Sequence, residues 1–227
     1  MNTKLMKMVD AWFVRLWIAL LPVPESLIIS SRNDNFCSFL LIRPGGIGDA
    51  VLLAPVIQYL KNEYPATQIT ILAEQRNAGV FLLIPDVDQL YCYDKPSEFW
   101  QAVSKKYDVV VDTEQWHRLS AIVARLVRAP LKIGFATNER RRMFTHSRPY
   151  SHDDYEISSF YHLIESLTGV SEQAKPTFPF LTIPATAQES AGKLLATLDH
   201  KPFVAVFPGA SIPERRWGAA QIGRAHV

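Results

Sequence analysis

Short apolar runs and longer amphipathic segments alternate along most of this chain. From Phe36 onward, the short runs are rich in β-branched residues and predict strands, while the segments between them place apolar residues on one helical face. The predicted strands cover residues 38–43, 68–73, 87–93, 107–112 and 131–135, and the predicted helices cover 49–64, 76–83, 97–105, 117–127 and 155–167. This alternation predicts an α/β domain with a parallel sheet and helices on both faces.

Three local signals refine that pattern. Pro55 should kink the first helix or delay its start, because proline lacks the N–H that a helix interior requires. Ser97 is a plausible N-cap for the helix over 97–105. The stretch from Asn138 to Tyr150 interrupts the rhythm, because it is arginine-rich and has little apolar content.

A second α/β unit is predicted to begin near residue 186. The first domain is predicted over 36–174. Lys175–Pro184 contains three prolines, which predicts an extended linker over 175–185. The unit over 186–221 holds one predicted helix, 187–198, and one predicted strand, 202–207, which is too little to bury a core of its own. The final residues 222–227 correspond to a common sequencing adapter read in frame, so we expect the natural protein to continue beyond 221.

The segment over 1–35 has a different character. Lys4, Lys7 and Arg15 accompany an aromatic and aliphatic stretch that ends at Pro22 and Pro24. This stretch falls short of the roughly 18–20 apolar residues that a membrane-spanning helix needs. It fits an amphipathic helix lying on a membrane surface or a helix packed on a domain, and a secretory signal fits it less well.

Charge and cysteine content exclude several classes of function. A net charge of +2 is too small to indicate nucleic-acid binding. The two cysteines, Cys37 and Cys92, form neither a disulfide framework nor a metal-binding pattern, and we expect both to be buried thiols. Without a spaced cluster of histidines, cysteines and acids, no metal ion is expected.

The most informative stretch is the glycine turn after the first strand, Gly45-Gly46-Ile47-Gly48, followed by Asp49. An acid at such a strand-to-helix junction is a candidate general base, or simply a carboxylate favoured by the helix dipole. The glycine spacing is not a complete dinucleotide fingerprint. Glu74, at the end of the second strand, nevertheless keeps open an NAD(P)-dependent oxidoreductase with a Rossmann-type fold.

Five segments in order resemble glycosyltransferase family 9, the lipopolysaccharide heptosyltransferases. They are Leu41–Val56 with its Gly-Asp pair, Tyr64-Pro65-Ala66, Tyr107–Asp112, His152–Gly169, and Phe207–Ser211 followed by Arg215-Arg216-Trp217. The resemblance extends over about residues 37–221. It implies a GT-B-like architecture of two Rossmann-like halves, of which this chain would hold the acceptor half and only the beginning of the nucleotide-sugar half.

The resemblance also implies residue roles. Asp49 would be the catalytic base. The donor phosphates would be bound by Gly209, Ser211 and Arg215, where Arg215 stands in the place of the family's lysine and Gly218 in that of its proline. The acceptor-binding residues would be Arg43, Gly45, Gly46, Gly48, Arg140, Arg141, Arg142 and Arg148. The arginines from 140 to 148 fit two interpretations. They could form a solvated surface, or they could clamp the phosphates and carboxylates of the acceptor, which the planar guanidinium group binds well.

By the same resemblance, the enzyme would be inverting and would need no metal or other cofactor. It would transfer a heptose from an ADP-activated donor to the lipopolysaccharide core or another lipid-linked glycan. Its location would be the cytoplasm, on the inner face of the cytoplasmic membrane of a Gram-negative bacterium, with no nucleic-acid partner. The chain of 227 residues alone is expected to be an inactive binding fragment.

Overall fold

A computed structural model describes Pro24 and residues 35–168, 178–196, 198, 201–207, 209–210 and 213–218. The chain divides into two compact units, residues 1–182 and 183–227. The segment over 1–35 that we predicted to be amphipathic lies outside the described residues apart from Pro24 and Asn35. Among the described helices, none combines the length and the apolar character that crossing a bilayer would require.

The first unit is built on a six-stranded sheet in which every neighbouring pair is parallel. Its strands are β1 (Ser38–Arg43), β2 (Gln68–Ala73), β3 (Gln89–Cys92), β4 (Val109–Asp112), β5 (Leu131–Phe135) and β6 (His146–Arg148). They lie in the order β3-β2-β1-β4-β5-β6, so the long apolar strand β1 is central. The predicted parallel α/β fold is confirmed, but β6 was missed because it is short and polar.

Helices connect these strands. They are α1 (Ile47–Leu52), α2 (Ala54–Glu63), α3 (Gln75–Phe81), α4 (Pro96–Ser104), α5 (Arg118–Leu126) and α6 (Glu156–Thr168), with a 3₁₀ turn at Glu139–Met143. The predicted helix over 49–64 is two helices, because Leu53 separates α1 from α2 and Pro55 lies in the first turn of α2. The predicted cap at Ser97 is wrong: Lys95 is the N-cap of α4 and Pro96 begins the helix.

Successive residues of each strand point to opposite faces of the sheet and pack in two separate hydrophobic cores. Phe39, Leu41, Val109 and Val111 face the core that α1, α2 and α6 cover, together with part of α3. Residues of the opposite parity, such as Leu40 and Val110, face the core under α4 and α5. Because both faces of the sheet are covered, the central strands read as continuous apolar runs rather than as an alternating pattern.

Cys92 is buried, as predicted, whereas the prediction for Cys37 is wrong because its residue is exposed. Cys37 precedes β1 at the amino edge of the sheet, where its backbone N–H donates to Asp108 Oδ2 at 2.8 Å. Cys37 lies outside the strand, which begins at Ser38, and its residue is therefore not part of the core.

Part of the predicted linker packs on the first unit. Phe180 and Leu181 lie against the core on the α6 side of the sheet. The Thr182 N–H donates to the Leu83 carbonyl at 2.7 Å, which joins this segment to the end of α3. The described part of this segment up to Thr182 is thus a strap of the first unit.

The second unit contains α7 (Ala185–Ala196) and a 3₁₀ turn at Pro213–Arg215. The strand predicted over 202–207 is not formed: these residues have no strand pairing, and Val204 and Phe207 are 86% and 90% exposed. A strand is stabilised by pairing with its neighbours and by packing against a helix or a second sheet layer, and the described residues of this unit provide neither.

The close approach of Phe144 to Gly134 gives a stability prediction. A Cβ added at Gly134 would lie 2.2 Å from Phe144 Cζ. We expect Gly134→Ala to lower the free energy of unfolding by about 2 kcal/mol or more, because the ring would have to leave a packed site. Urea denaturation measures the change, and Phe144→Leu in the same chain should recover part of it.

Gly79→Ala is the control for this prediction. Open space and helical backbone at Gly79 predict that the free energy of unfolding rises by about 0.5–1 kcal/mol. Equal effects at both glycines would contradict this account.

Lys132 gives a pH-dependent prediction. Its residue is only 5% exposed on β5, its Nζ donates to the Arg125 carbonyl, and burial lowers its pKa to about 8, from 10.5. Between these two values the unfolded chain binds more protons, so wild-type stability rises with pH through that window. We expect Lys132→Met to raise stability at pH 7 by about 1–3 kcal/mol and to flatten this rise, as measured by urea denaturation from pH 7 to 10.5.

The exposed Lys106→Met is the matched control for that series, and we expect it to change stability by less than about 0.5 kcal/mol. A Lys132→Met variant that is less stable at pH 7 and keeps the wild-type pH dependence would show that the buried amine is compensated by its surroundings.

Candidate active site

The strand order reverses direction between β1 and β4, at the centre of the sheet. Connections lead away from β1 on one side and from β4 on the other, so a crevice opens beyond the carboxyl ends of these two strands. Ligands of open α/β sheets bind in such crevices. Arg43 ends β1 and Asp112 ends β4, and the chain continues from them into the glycine turn and into Thr113–Gln115.

Arg43 is the main organising residue of this crevice. Its side chain is 2% exposed, and its guanidinium lies 5.7 Å from the centre of the Phe160 ring. Nη1 donates to the Thr113 carbonyl at 2.6 Å, and Nη2 donates to Asp49 Oδ2 at 2.9 Å. The Arg43 carbonyl accepts from Asn77 Nδ2 at 3.0 Å. One residue thereby connects β1, the loop after β4, and α1 and α3.

Asp49 lies in the first turn of α1 and faces the crevice. Its side chain is 43% exposed although it is paired with the buried guanidinium of Arg43. The ion pair fixes one carboxylate oxygen and balances its charge, while the exposed part of the group remains accessible to a ligand. This is the geometry that a positioned proton acceptor requires.

The glycine turn allows this pair to form. Gly45 has φ +107°, a backbone conformation that side chains rarely adopt, and a Cβ there would lie 3.3 Å from Arg43 Nη2. Gly46 is the N-cap of α1, and Gly48 is exposed with open space where a Cβ would be. The structure therefore brings Arg43, Gly45, Gly46 and Asp49 together, and their roles as catalytic base and acceptor-binding residues stay predictions.

The loop after β4 forms the second wall of the crevice and contains residues that the sequence reasoning missed. Glu114 is 5% exposed, and its Oε1 accepts from the backbone N–H groups of Trp116 and His117 at 3.0 and 3.3 Å. His117 is the N-cap residue of α5. The available signal was position, because Glu114 to Trp116 directly follow a buried strand beside the one that leads to Asp49.

Arg140 was predicted to bind the acceptor, and the structure corrects this. The side chain is fully buried, with Nη2 2.5 Å from Asp112 Oδ2 and Nη1 donating to the Glu114 carbonyl. Burial raises the pKa of Asp112, and the Arg140 guanidinium acts in the opposite direction. The side chain has no accessible surface for a ligand, so Arg140 supports the β4–α5 loop from within the protein.

The remaining predicted acceptor arginines are on the surface. Arg141 is exposed, whereas Arg142 and Arg148 are half-buried. Their predicted contacts with the acceptor stay predictions.

The donor-binding predictions fall on the second unit. Gly209 is exposed, and a Cβ there would meet open space. Ser211 lies outside the described residues, as does the side chain of Arg215, whose backbone belongs to the 3₁₀ turn Pro213–Arg215.

Glu74 has a structural role that accounts for its position. It is the N-cap of α3 and forms a capping box with Asn77. Its carboxylate also accepts from the Tyr93 hydroxyl at 2.9 Å and pairs with Arg76. These contacts occupy the carboxylate that an NAD(P)-binding site would need for a ribose hydroxyl. Among the described residues, no group of three or more histidines, cysteines and acids is arranged to bind a metal ion.

Comparisons with known proteins identify relatives of one kind. The lipopolysaccharide heptosyltransferase 3 of Escherichia coli is 32% identical over 120 residues, covering 45% of this chain and 35% of that protein. The match to the lipopolysaccharide core heptosyltransferase OpsX of Haemophilus influenzae covers 31% of that protein. The chain thus matches these curated relatives over about a third of their length.

Solved structures show the same fold. A glycosyl transferase family 9 protein from Veillonella parvula superposes with a TM-score of 0.67 at 16% identity, covering 86% of this chain and 60% of that one. The ADP-heptose lps heptosyltransferase II of E. coli gives a TM-score of 0.61 at 17% identity, covering 83% of this chain and 62% of that one. The α/β fold is therefore that of the GT-B heptosyltransferase structures, as predicted.

A family sequence model described as glycosyltransferase family 9 (heptosyltransferase) matches residues 97–222. This match spans more than half of the chain and confirms the resemblance from α4 onward. The glycine turn and Asp49 lie before the matched residues and are joined to them by the pairing of β1 with β4. The family match replaces the oxidoreductase alternative, and the chain belongs to glycosyltransferase family 9, the heptosyltransferases.

Proposed function

We propose that the protein transfers a heptose from an ADP-activated donor to a hydroxyl of the lipopolysaccharide core, with inversion and without a metal ion. The observation that carries this proposal is the exposed Asp49 carboxylate held by the buried Arg43 guanidinium at the centre of the sheet. The family match supports the sugar-transfer chemistry. The names of the relatives support heptose, ADP and lipopolysaccharide as the substrate classes.

Asp49 acts as the general base in this proposal. A sugar hydroxyl is a weak nucleophile near neutral pH, so a carboxylate must accept its proton as the new glycosidic bond forms. The acceptor oxygen attacks the anomeric carbon from the face opposite the leaving group. The bond between that carbon and the phosphate oxygen breaks, ADP departs with the electron pair, and the proton passes to Asp49. Arg43 positions the carboxylate without blocking its exposed part.

The two anionic parts of the substrates are assigned to basic residues. The departing diphosphate would be stabilised by Arg215 together with the backbone around Gly209 and Ser211, since charge builds up on that group in the transition state. Anionic groups of the acceptor would be bound by Arg141, Arg142 and Arg148, and the small residues Gly46 and Gly48 would leave room for the sugar at the glycine turn. The acceptor is lipid-linked, so the site of action is the inner face of the cytoplasmic membrane.

Asp49→Asn tests the general base. We expect kcat to fall by at least about 100-fold, because the amide cannot accept the proton. Protein expressed from the complete reading frame is assayed for ADP release with ADP-heptose and a lipopolysaccharide core that lacks the heptose to be added. Calorimetric binding of ADP-heptose should stay within about threefold of wild type, since the contacts to the donor are untouched.

Glu63→Gln is the matched control, because Glu63 is an exposed acid at the far end of α2. Its turnover should equal that of wild type. Wild-type turnover in Asp49→Asn would exclude the general-base role, and a wild-type protein that binds neither substrate would exclude the proposed reaction.

Gly45→Ala tests whether the turn positions the base. The added Cβ would meet Arg43 Nη2 and would require a strained backbone, so we expect the ion pair to shift and kcat to fall about tenfold or more. The acceptor KM and kcat are measured separately, and circular dichroism monitors folding. Gly79→Ala, an exposed helical position with open space, should retain wild-type kinetics. A Gly45→Ala protein with wild-type kcat would show that the turn geometry is not needed for catalysis.

A further inference from the structure

An aromatic pair joins the loop after β4 to the segment that follows β6. The rings of Trp116 and His152 stack with centroids 5.1 Å apart and an interplanar angle of 15°. Tyr150 meets both rings edge-on, at 6.1 Å from Trp116 and 5.3 Å from His152. Trp116 nevertheless remains 45% exposed. Large aromatic side chains are usually buried for most of their surface, so this indole is available to a ligand.

The backbone of Trp116 is held on both sides. Its N–H donates to Glu114 Oε1 at 3.0 Å, and its carbonyl accepts from Asn138 Nδ2 at 3.0 Å. Glu114 itself is almost fully buried. Because the indole is also stacked on His152, it loses little conformational entropy when a ligand binds to it.

Polar groups surround the aromatic pair and join it to the loop after β4. The Tyr150 hydroxyl donates to Glu156 Oε2 at 3.0 Å, and the Gln115 amide donates to Glu156 Oε1. Burial and the Glu156 carboxylate raise the pKa of Tyr150 to about 12, and the charges of Asp49 and Arg43 also act on this hydroxyl. A Cβ at Gly45 would lie 3.8 Å from Glu114 Oε2, and Glu114 Oε1 binds the Trp116 N–H, so the loop that carries the indole adjoins the glycine turn that leads to Asp49.

We propose that Trp116, backed by His152, is the stacking surface for a sugar ring of the acceptor glycan next to Asp49. The inference rests on the proposed function, since it takes a glycan as the acceptor. One face of a pyranose ring carries several C–H groups, whose partial positive charge suits the electron-rich face of an indole. Hydroxyl groups at the rim of the ring would meet the amide and carboxylate groups around Tyr150. An aromatic surface with a few fixed polar groups is the usual composition of a small-molecule site.

The local charge favours a neutral ring over a nucleotide. Glu156 accepts hydrogen bonds from the Tyr150 hydroxyl and the Gln115 amide, and Glu114 accepts from the Trp116 N–H, so the groups that hold this aromatic cluster in place are carboxylates. A diphosphate bound beside these carboxylates would be repelled, which weakens its binding. The adenine ring of a donor could also stack on an indole, and the experiment separates that case from a sugar.

Trp116→Ala and Trp116→Phe test the proposal in the protein from the complete reading frame. The acceptor is a deacylated lipopolysaccharide core oligosaccharide, so no lipid surface contributes. We expect Trp116→Ala to raise the acceptor KM about tenfold while the donor KM stays within twofold. Trp116→Phe should stay within about threefold of wild type, because a smaller aromatic face remains. Trp100→Ala is the matched control, since Trp100 is 66% exposed on α4, and it should change neither constant.

A second readout does not depend on turnover. In an Asp49→Asn background, calorimetry measures the Kd of the same oligosaccharide and of ADP-heptose. The stacking surface is supported if Trp116→Ala weakens the binding of the oligosaccharide and leaves that of ADP-heptose unchanged. This result would stand even if the wild type fails to transfer heptose, which would exclude only the proposed reaction. An unchanged oligosaccharide Kd, or weaker binding of ADP-heptose instead, overturns the inference. If Trp116→Ala does not fold, His152→Ala is measured in its place, because it removes the ring on which the indole is stacked, and a wild-type oligosaccharide Kd in that variant would likewise overturn the inference.

Discussion

The crevice depends on one buried charge. The Arg43 guanidinium is removed from water, which is costly unless its donors are satisfied. Thr113 and Asp49 satisfy two of its donor groups, and Phe160 covers its face, while Nε has no partner in the described residues. Leaving the guanidinium unpaired would cost about 3–5 kcal/mol, so the ion pair and the hydrogen bond stabilise the turn and the loop in these positions. The orientation of Asp49 is thus a consequence of where a buried cation must find its acceptors.

A second buried pair lies under the neighbouring strand end. Asp112 and Arg140 are on the face of the sheet opposite to Arg43, since Asp112 has the parity of Val110 and Arg43 that of Leu41. Arg140 also binds the Glu114 carbonyl, and the Glu114 side chain binds the N–H groups at the start of α5. Each of the two central strands therefore ends in a charged network that supports the loop leaving it. Such networks hold a loop at a precise distance from the sheet, which apolar packing alone does less well.

The sequence predicted what hydrophobic pattern and turn chemistry determine. Continuous apolar runs located five of the six strands, and Gly45 with Asp49 located the crevice, because a tight strand-to-helix turn needs glycine. The failures have physical reasons. His146–Arg148 gains its strand conformation from pairing with β5, and three polar residues carry no hydrophobic pattern from which that pairing could be predicted. Residues 202–207 read as a strand, but no neighbour in the described part of the unit pairs with them. Arg140 looked like its exposed neighbour Arg141, since an acid 28 positions earlier in the chain is not visible as its partner.

The link from Arg43 to Thr113 also governs when the crevice can form during synthesis. The two residues are 70 positions apart, and the Thr113 hydroxyl donates to the Ile42 carbonyl over 71 positions. β1 can pair with β2 early, but the acceptor that holds Arg43 reaches the growing protein only after β3 and α4 have left the ribosome. Contacts of such separation form slowly, because the intervening chain must first be ordered. An emerging chain would therefore hold Arg43 next to Asp49 but without the Thr113 carbonyl, and the guanidinium would reach its buried position only when β4 pairs with β1.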